Sequence, residues 1–370
     1  MKKRYLIPLL IILALPVAAW LALKLPVFGA IPSKTDHTRF ASSPAFNSSS
    51  NSFENRRPEL FTQMRENSSI PGMLREWFKE RVDSRPNEPL PEVKPDFQEF
   101  LASSNNTKLI WLGHSSFLLN INGTVVLVDP IFSNAAAPVS FLAPRFQAPV
   151  ITLNELPPID IILISHDHYD HLDKMTAQHF VNTPTQFITP LGVGLHLKRW
   201  GISDSQFTEL DWWQSHTVNE IQFVAAPAQH FSGRDGLNNN KTLWASWVVK
   251  APNASIYYSG DSGYDTHFKT MGEQYGPFDL ALMENGQYNE GWPAVHMFPE
   301  EALQASKDVQ AKALMPVHWG MFELSFHSWY EPAVRIAALA KESNFPLLTP
   351  TIGDIIEING QFETNPWWEQ

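Results

Sequence analysis

The stretch ISHDHYDHLD, residues 164–173, places three histidines and three aspartates within ten positions, directly after the apolar run IDIIL. This run has the length and composition of a buried β-strand. Side chains two positions apart on a strand point to the same side, so His166 and His168 can hold one ion. A turn after them would bring Asp170 and His171 towards a second ion. We therefore predict a site for two metal ions at this strand end.

The chemistry of the cluster favours zinc. The chain contains no cysteine, so only histidines and carboxylates can hold the metal. Neutral imidazoles combined with carboxylates suit zinc, and also iron or manganese. Five of the six residues in HDHYDH are of ligand type. Burying so many polar groups without a metal or solvent partner would be costly.

Other apolar runs of strand length end on the same residue types. If these strand ends meet at one edge of a sheet, their polar side chains gather around the same point. The residues are Asp129 after TVVLV, His230 after VAAPAQ, Asp261 after YYSG and His318 after LMPV.

The order of apolar runs, turns and helical segments along the chain predicts the fold class. From Lys108 onward, short apolar runs alternate with turns, and segments of helical spacing appear between the later runs. This order predicts an α/β fold in which two sheets pack face to face with helices outside, an αββα sandwich.

The ordered motifs resemble those of a known family. H-x-H-x-D-H at a strand end, followed by an isolated histidine, a GD pair and a last histidine, resembles the metallo-β-lactamase superfamily. Within it, the chain is similar to the N-acyl-phosphatidylethanolamine-hydrolysing phospholipases D, over a region from about Lys108 to Ala333. The motifs that carry this similarity are WLGHSSFLL, VDPIFS, ELPPIDIILISHDHYDHLD, PAQHFSGR, GDSGY, HMFPEEA and VHWGMFEL.

The resemblance implies a metallo-β-lactamase fold with two zinc ions per chain. It places one zinc on His166, His168 and His230, the second on Asp170, His171 and His318, and Asp261 between both. It also places Asp129 and His114 against the ligands, where a carboxylate can orient a ligand imidazole. The expected catalytic residues are Asp170, Asp261 and His296, and His296 is expected near the substrate phosphate.

The resemblance further implies a phosphodiesterase. The expected reaction hydrolyses N-acyl-phosphatidylethanolamine to N-acylethanolamine and phosphatidic acid through a hydroxide that bridges the metals. One alternative is a hydrolase that uses the same site on a lactone, a sugar-phosphate lactone or a β-lactam. A second is a non-catalytic binding protein in which the metal only stabilises the fold.

One stretch departs from the family pattern. MENGQYNEGWPAVH, residues 283–296, differs from the animal enzymes and puts Glu284 and Asn285 at a strand end near the metals. We expect both residues to contribute to substrate binding. For Glu284, a more distant role in buffering the metal site is an alternative that the sequence leaves open.

The N-terminal third is predicted to differ from the catalytic domain at 106–370. After MKKR, the segment Tyr5–Leu23 runs for 19 residues without a charge, a length that matches a bilayer. We expect residues 1–30 to form a single transmembrane helix with a cytoplasmic N-terminus and a periplasmic or extracellular catalytic domain. The alternative is a signal peptide, cleaved before secretion. Residues 31–105 are expected to form a flexible tether, rich in Ser and Asn, and a surface strap.

The charge balance narrows the choice of partners. The formal net charge is −11, and no basic block occurs beyond the N-terminus. We therefore expect no nucleic-acid partner, because a nucleic-acid backbone requires a basic footprint. The expected partners are a phospholipid substrate and the membrane, and the sequence leaves the oligomeric state open.

Overall fold

The computed structural model describes residues 20–67, 72, 82–358, 362 and 364–369. Most of the predicted transmembrane helix, residues 1–19, lies outside the described residues. In the part of the chain that the structure describes, no helix combines the length and apolar character needed to cross a bilayer.

Fifteen strands and eight helices are described here. The strands are β1 (Phe46–Asn47), β2 (Ser52–Phe53), β3 (Lys108–Trp111), β4 (Phe117–Ile121), β5 (Thr124–Val128), β6 (Ile161–Leu163), β7 (Gln186–Pro190), β8 (Phe207–Leu210), β9 (Ser215–Val218), β10 (Ile221–Ala226), β11 (Ser246–Ala251), β12 (Ala254–Tyr258), β13 (Leu280–Glu284), β14 (Leu314–Val317) and β15 (Ile355–Glu357). The helices are α1 (Lys34–Phe40), α2 (Pro58–Asn67), α3 (Phe97–Leu101), α4 (Lys174–His179), α5 (Val193–Arg199), α6 (His267–Tyr275), α7 (Pro299–Asp308) and α8 (Glu331–Ser343).

Two large sheets form the centre of the molecule. The first has the strand order β15-β3-β4-β5-β6-β7-β8, antiparallel from β15 to β5 and parallel from β5 to β8. The second has the order β14-β13-β12-β11-β10-β9, parallel from β14 to β12 and antiparallel from β12 to β9. Both sheets thus contain parallel and antiparallel strands, and the candidate site lies beyond strand ends of both sheets.

Alternation along the strands explains the layers. In β5, Val126 and Val128 belong to the core between the sheets, whereas Val125 and Leu127 face the other way. The outward side chains of the first sheet pack against residues of α4 and α5, and those of the second against α6, α7 and α8. The predicted αββα sandwich is therefore confirmed.

The segment predicted as a flexible tether is folded onto the body. Phe40, Phe46 and Phe53 are buried against one another and pack on Leu243 and Trp244. The prediction of a flexible tether was wrong because it weighed the Ser and Asn content above three phenylalanines spaced along the same stretch. Burial of these rings offsets the cost of ordering the polar residues between them.

Candidate metal centre

The predicted ligand residues follow the carboxyl ends of strands in both sheets. His166 comes shortly after β6 in the first sheet, whereas His230, Asp261 and His318 come after β10, β12 and β14 in the second. Asp129 directly follows β5. Since the sheets are stacked, these ends meet at one edge of the sandwich, as the sequence predicts. The structure brings all seven predicted ligand residues together in two adjoining groups.

The first group contains His166, His168, His230 and Asp261. The Nε2 atom of His166 lies 2.8 Å from Nδ1 of His168, and Nε2 of His230 lies 3.2 Å from the same atom. The carboxylate of Asp261 lies 3.7 Å from Nε2 of His166 and 3.7 Å from Nε2 of His230. Four ligand atoms from three chain segments thus surround one point.

The second group contains Asp170, His171 and His318, with His114 beside them. The Nε2 atom of His171 lies 3.5 Å from the Asp170 carboxylate and 3.2 Å from the Asp261 carboxylate. Nδ1 of His318 lies 3.2 Å from the second oxygen of Asp261. Asp261 therefore contacts both groups, in the position that the family resemblance implies for a bridging carboxylate.

The residues present fit a metal cofactor. Ligand atoms bound tetrahedrally at about 2.0–2.1 Å from one ion lie roughly 3.3 Å apart, close to the distances observed here. The Nε2 atom of His171 and Oδ1 of Asp261 are buried and lack a hydrogen-bond partner. Buried polar atoms without partners are costly, and a metal ion bound between them removes that cost.

Hydrogen bonds orient the imidazoles towards the centre. Nδ1 of His230 lies 3.0 Å from the carbonyl oxygen of Val295, and Nδ1 of His171 lies 2.8 Å from Asp129. Because each Nδ1–H donates to these oxygens, Nε2 is left to face the other ligands.

The pKa shifts of the clustered histidines are those expected of metal ligands. Burial lowers the pKa of His166, His230 and His318 well below the usual histidine value, which keeps their lone pairs available. For His171, burial also lowers the pKa, but the charges of Asp261 and Asp170 outweigh it and raise the pKa well above its usual value. The carboxylates therefore favour positive charge at this point, which a metal cation supplies.

Asp129 and His114 occupy the supporting positions that the resemblance implies. Asp129 is fully buried and accepts hydrogen bonds from Ser165 Oγ at 2.5 Å, His171 Nδ1 at 2.8 Å and Tyr258 Oη at 2.6 Å. Because Tyr258 belongs to the second sheet, Asp129 ties a ligand of one sheet to the other. His114 Nε2 lies 3.0 Å from the Asp170 carboxylate and fixes its direction.

The backbone at the site is strained at three non-glycine residues. His114, Asp129 and His318 have φ values of 53°, 37° and 68°, in the left-handed region that side chains rarely adopt. Such conformations cost about 1–3 kcal/mol each and concentrate at functional sites. A hydrogen bond of 3.0 Å from the His318 N–H to the His114 carbonyl holds two of them together.

The structure differs from the prediction that Glu284 and Asn285 bind substrate. Both side chains are fully buried, and neither lines the cavity described below. Glu284 contacts Nδ1 of His296 at 2.8 Å and accepts from the Met297 N–H at 2.7 Å. Asn285 donates to the Pro332 carbonyl at 3.0 Å. The strand end directs these side chains into the protein, where Glu284 contacts His296 and lies in a group with Asp261 and His318.

One supporting residue was missed by the sequence reasoning. The side chain of Asn55 donates to the carbonyl of His230 at 2.8 Å and accepts from the N–H of His230 at 3.0 Å. The Trp244 indole also donates to Asn55, at 3.1 Å. Asn55 lies in the stretch interpreted as a tether, and no local pattern marks it, because its partner is 175 residues away.

A cavity of about 410 Å³ opens above the two groups, a size that suits a small organic ligand. His168, Asp170, Asp261, His296 and His318 form its polar part. The apolar wall contains Phe61, Met64, Phe231, Trp292, Val295 and Leu324. Phe61 and Met64 come from α2, so the region before the predicted catalytic domain contributes part of the cavity wall.

Comparisons with known proteins agree with this geometry. The Beta-lactamase superfamily domain matches residues 124–319. An uncharacterized protein of Mycobacterium tuberculosis H37Rv is 42% identical over 290 residues, which cover 77% of each chain. The N-acyl-phosphatidylethanolamine-hydrolyzing phospholipase D 1 of Caenorhabditis elegans is 35% identical over 268 residues, 67% of this chain and 74% of that protein.

A solved structure shows the same fold. The metallo hydrolase Igni18 of Ignicoccus hospitalis superposes with a TM-score of 0.54 at 19% identity, covering 70% of this chain and 100% of that one. The superfamily match explains the two-sheet architecture and the buried histidine and aspartate cluster, and it makes the chain a metal-dependent hydrolase in the broad sense. The chain thus belongs to the β-lactamase superfamily, in the family that includes the N-acyl-phosphatidylethanolamine-hydrolysing phospholipases D.

Proposed function

We propose that this protein is a dinuclear zinc phosphodiesterase that hydrolyses N-acyl-phosphatidylethanolamine to N-acylethanolamine and phosphatidic acid. The observation that carries the proposal is the placement of Asp261 between two ligand groups on the floor of a partly apolar cavity. The name of the Caenorhabditis elegans relative supports the substrate class. Catalysis is favoured over a purely structural metal because the ligand groups face the cavity that a substrate would occupy.

In this proposal each ligand group holds one zinc ion. His166, His168 and His230 hold the first, Asp170, His171 and His318 hold the second, and Asp261 contacts both. When bound, two zinc ions at such a site activate water as a nucleophile and neutralise charge on phosphoryl oxygens. Asp129 and His114 hold the ligand side chains in place, which limits reorganisation during the reaction.

His296 is proposed to contact the phosphate. Its ring lies 5.1 Å from the His230 ring and 5.3 Å from the His318 ring, centre to centre, and it lines the cavity. Glu284 engages Nδ1, so Nε2 is the nitrogen that remains for a ligand. A hydrogen bond from this nitrogen would stabilise a phosphoryl oxygen as negative charge develops on it.

The apolar wall fits the remaining part of such a lipid. Phe61 and Met64 on one side and Trp292 and Leu324 on the other give acyl or glycerol carbons a surface that excludes water. A polar floor with an apolar wall matches a substrate that carries a phosphodiester and hydrocarbon chains. The cavity alone is smaller than a complete phospholipid, so we propose that most of the acyl chains stay in the bilayer.

The N-terminal sequence supports a proposal for the location of the enzyme. We propose that the uncharged segment Tyr5–Leu23 anchors the chain in a membrane and that residues 106–370 form the catalytic domain on the periplasmic or extracellular side. An anchor of this kind would hold the cavity close to its lipid.

The test is hydrolysis of a defined lipid by the purified full-length chain. Metal content is measured first, and the protein is then incubated with vesicles that contain N-acyl-phosphatidylethanolamine, with mass spectrometry of both products. Equal amounts of phosphatidic acid and N-acylethanolamine are expected. Zinc-loaded protein that releases neither product, but opens a lactone or a β-lactam, would overturn the proposed substrate.

A further inference from the structure

Large apolar side chains are exposed on three stretches of the chain, at residue 25, at residues 139–142 and at residue 175. Phe141 is 79% exposed, Leu25 53% and Leu142 50%, and Val139 and Met175 are also exposed. We call these five residues the apolar face. Exposed apolar residues that occur singly are ordinary, whereas a group of them on adjoining segments indicates a contact surface.

The segments that carry the apolar face adjoin one another. Val27, Ser140 and Met175 line a common cavity of about 310 Å³, although they belong to three separate stretches of chain. Val27 is two residues from Leu25, and Ser140 is next to Phe141. Met175 of the apolar face and close chain neighbours of Leu25 and Phe141 therefore line one cavity.

The face also includes the exit of the N-terminal segment, and this exit is fixed to the body. The Trp200 indole donates to the Pro26 carbonyl at 2.6 Å, and the Arg234 guanidinium donates to the Val27 carbonyl at 3.1 Å. Arg199 donates to two further carbonyls of the same segment. With these bonds, the direction in which the chain leaves the body is set by the fold.

Adjacent residues of one loop connect the cavity at the apolar face with the metal centre. His168 lines the cavity of the metal centre, and its neighbour Tyr169 lines the cavity of the apolar face. Arg234 stacks over the Tyr169 ring at 3.9 Å and donates to the Asp167 carbonyl at 2.6 Å. A single short loop therefore separates the two cavities.

The sequence that precedes Leu25 indicates that the partner of the apolar face is a lipid bilayer. The segment Tyr5–Leu23 carries no charge and ends where the face begins. Trp20 is exposed, and Lys24 Nζ lies 3.4 Å from the centre of its ring. Tryptophan and lysine at the end of an apolar segment are typical of the boundary between hydrocarbon and headgroups.

We propose that the apolar face docks on the surface of a lipid bilayer, so that the cavity of the metal centre is held next to the membrane. This inference rests on the anchor in the proposed function, and it adds a second contact that fixes the orientation of the catalytic domain. Phe141 and Leu142 insert among the acyl chains nearest the headgroups, while the N-terminal segment continues into the bilayer.

The absence of cysteine allows a direct test on the full-length chain. Phe141→Cys is labelled with an environment-sensitive nitrobenzoxadiazole dye and reconstituted into vesicles of phosphatidylethanolamine and phosphatidylglycerol. Val334→Cys is the matched control, because Val334 is also exposed but lies on α8, in the opposite outer layer. A blue-shifted emission at position 141, quenched by lipids with a spin label near the headgroup, is expected, with neither change at position 334.

Two further measurements distinguish docking of the apolar face from the proposed membrane anchor and from the proposed activity. Resistance to extraction by alkaline carbonate reports on the anchor, independently of the apolar face and of activity. Phe141→Ser combined with Leu142→Ser is expected to raise KM for vesicle substrate roughly tenfold and to leave turnover of a soluble short-chain phosphodiester unchanged. Equal, unquenched emission at positions 141 and 334 in anchored protein would overturn the docking proposal and leave the anchor intact.

Discussion

The contact between Asn55 and His230 gives a quantitative prediction. Asn55→Ala removes the partner of both main-chain groups of His230, whereas the Trp244 indole keeps a second acceptor, the Ala228 carbonyl at 2.9 Å. Each buried polar group without a partner costs about 1–3 kcal/mol. Water that fills the vacated space offsets part of this, so we expect the lower end, about 2 kcal/mol for the two groups together.

This cost falls mainly on the metal-bound form. In the variant we expect the loop that carries His230 to shift towards water when no metal is bound, whereas a bound ion would hold His230 in place. A difference of about 2 kcal/mol corresponds to a roughly 30-fold loss of metal affinity. The loss lies within the roughly 10- to 100-fold range typical of residues that support a metal ligand.

The assay is a zinc titration in competition with a chromophoric chelator, together with urea unfolding of the metal-free protein. Phe53→Leu is the matched control, because Phe53 is buried in the same segment but makes no hydrogen bond to His230. It is expected to lower the free energy of unfolding by less than about 1.5 kcal/mol and to leave zinc affinity unchanged. If Asn55→Ala also loses only stability, with unaltered zinc affinity, the reasoning is refuted.

Four further outcomes are expected. Asp261→Asn should abolish turnover, because the amide cannot serve both ligand groups as an anionic ligand; retained kcat would contradict the bridging position. Glu284→Gln replaces the carboxyl group that contacts Nδ1 of His296 with an amide and should lower kcat about tenfold or more, with Asn285→Ala as the neighbouring control; equal losses in both variants would point to general disruption. Asp129→Asn should lower zinc affinity about 10- to 100-fold in the same titration; unchanged affinity would exclude an orienting role. Chelation should lower Tm, since an ion at about 1,000 times its Kd stabilises the fold by about 4 kcal/mol; an unchanged Tm would show that the folded state binds no metal.

The architecture was accessible from the sequence because it depends on local signals. Strand-length runs and polar residues such as Asp129 and His318 at their ends are properties of short windows. They predict the two sheets and the gathering of ligand types at one edge. The i, i+2 spacing of His166 and His168 likewise follows from strand geometry alone.

The parts that were missed depend on distant contacts. Nothing in the sequence around Asn55 distinguishes it from other polar residues, because its contact with His230 forms only in the folded chain. The Ser and Asn content of the segment that contains Asn55 favoured a flexible tether. Glu284 was placed correctly at a strand end, but the sequence could not tell which way its side chain points at the last residue of β13. The hydrogen bond from Met297 and the contact with His296 settle that direction.

The metal ligands and the apolar cavity wall come from different parts of the fold, and this separation has an evolutionary consequence. The ligand side chains follow core strands whose packing resists change, whereas Phe61, Trp292 and Leu324 come from a short helix and loops at the periphery. Insertions or replacements in these peripheral pieces would alter what is held above the ions while sparing the hydrolytic machinery. Selection can thus change which substrates are accepted by replacing the residues that line the cavity. The stretch at 283–296, which differs from the family pattern, includes the lining residues Trp292, Val295 and His296.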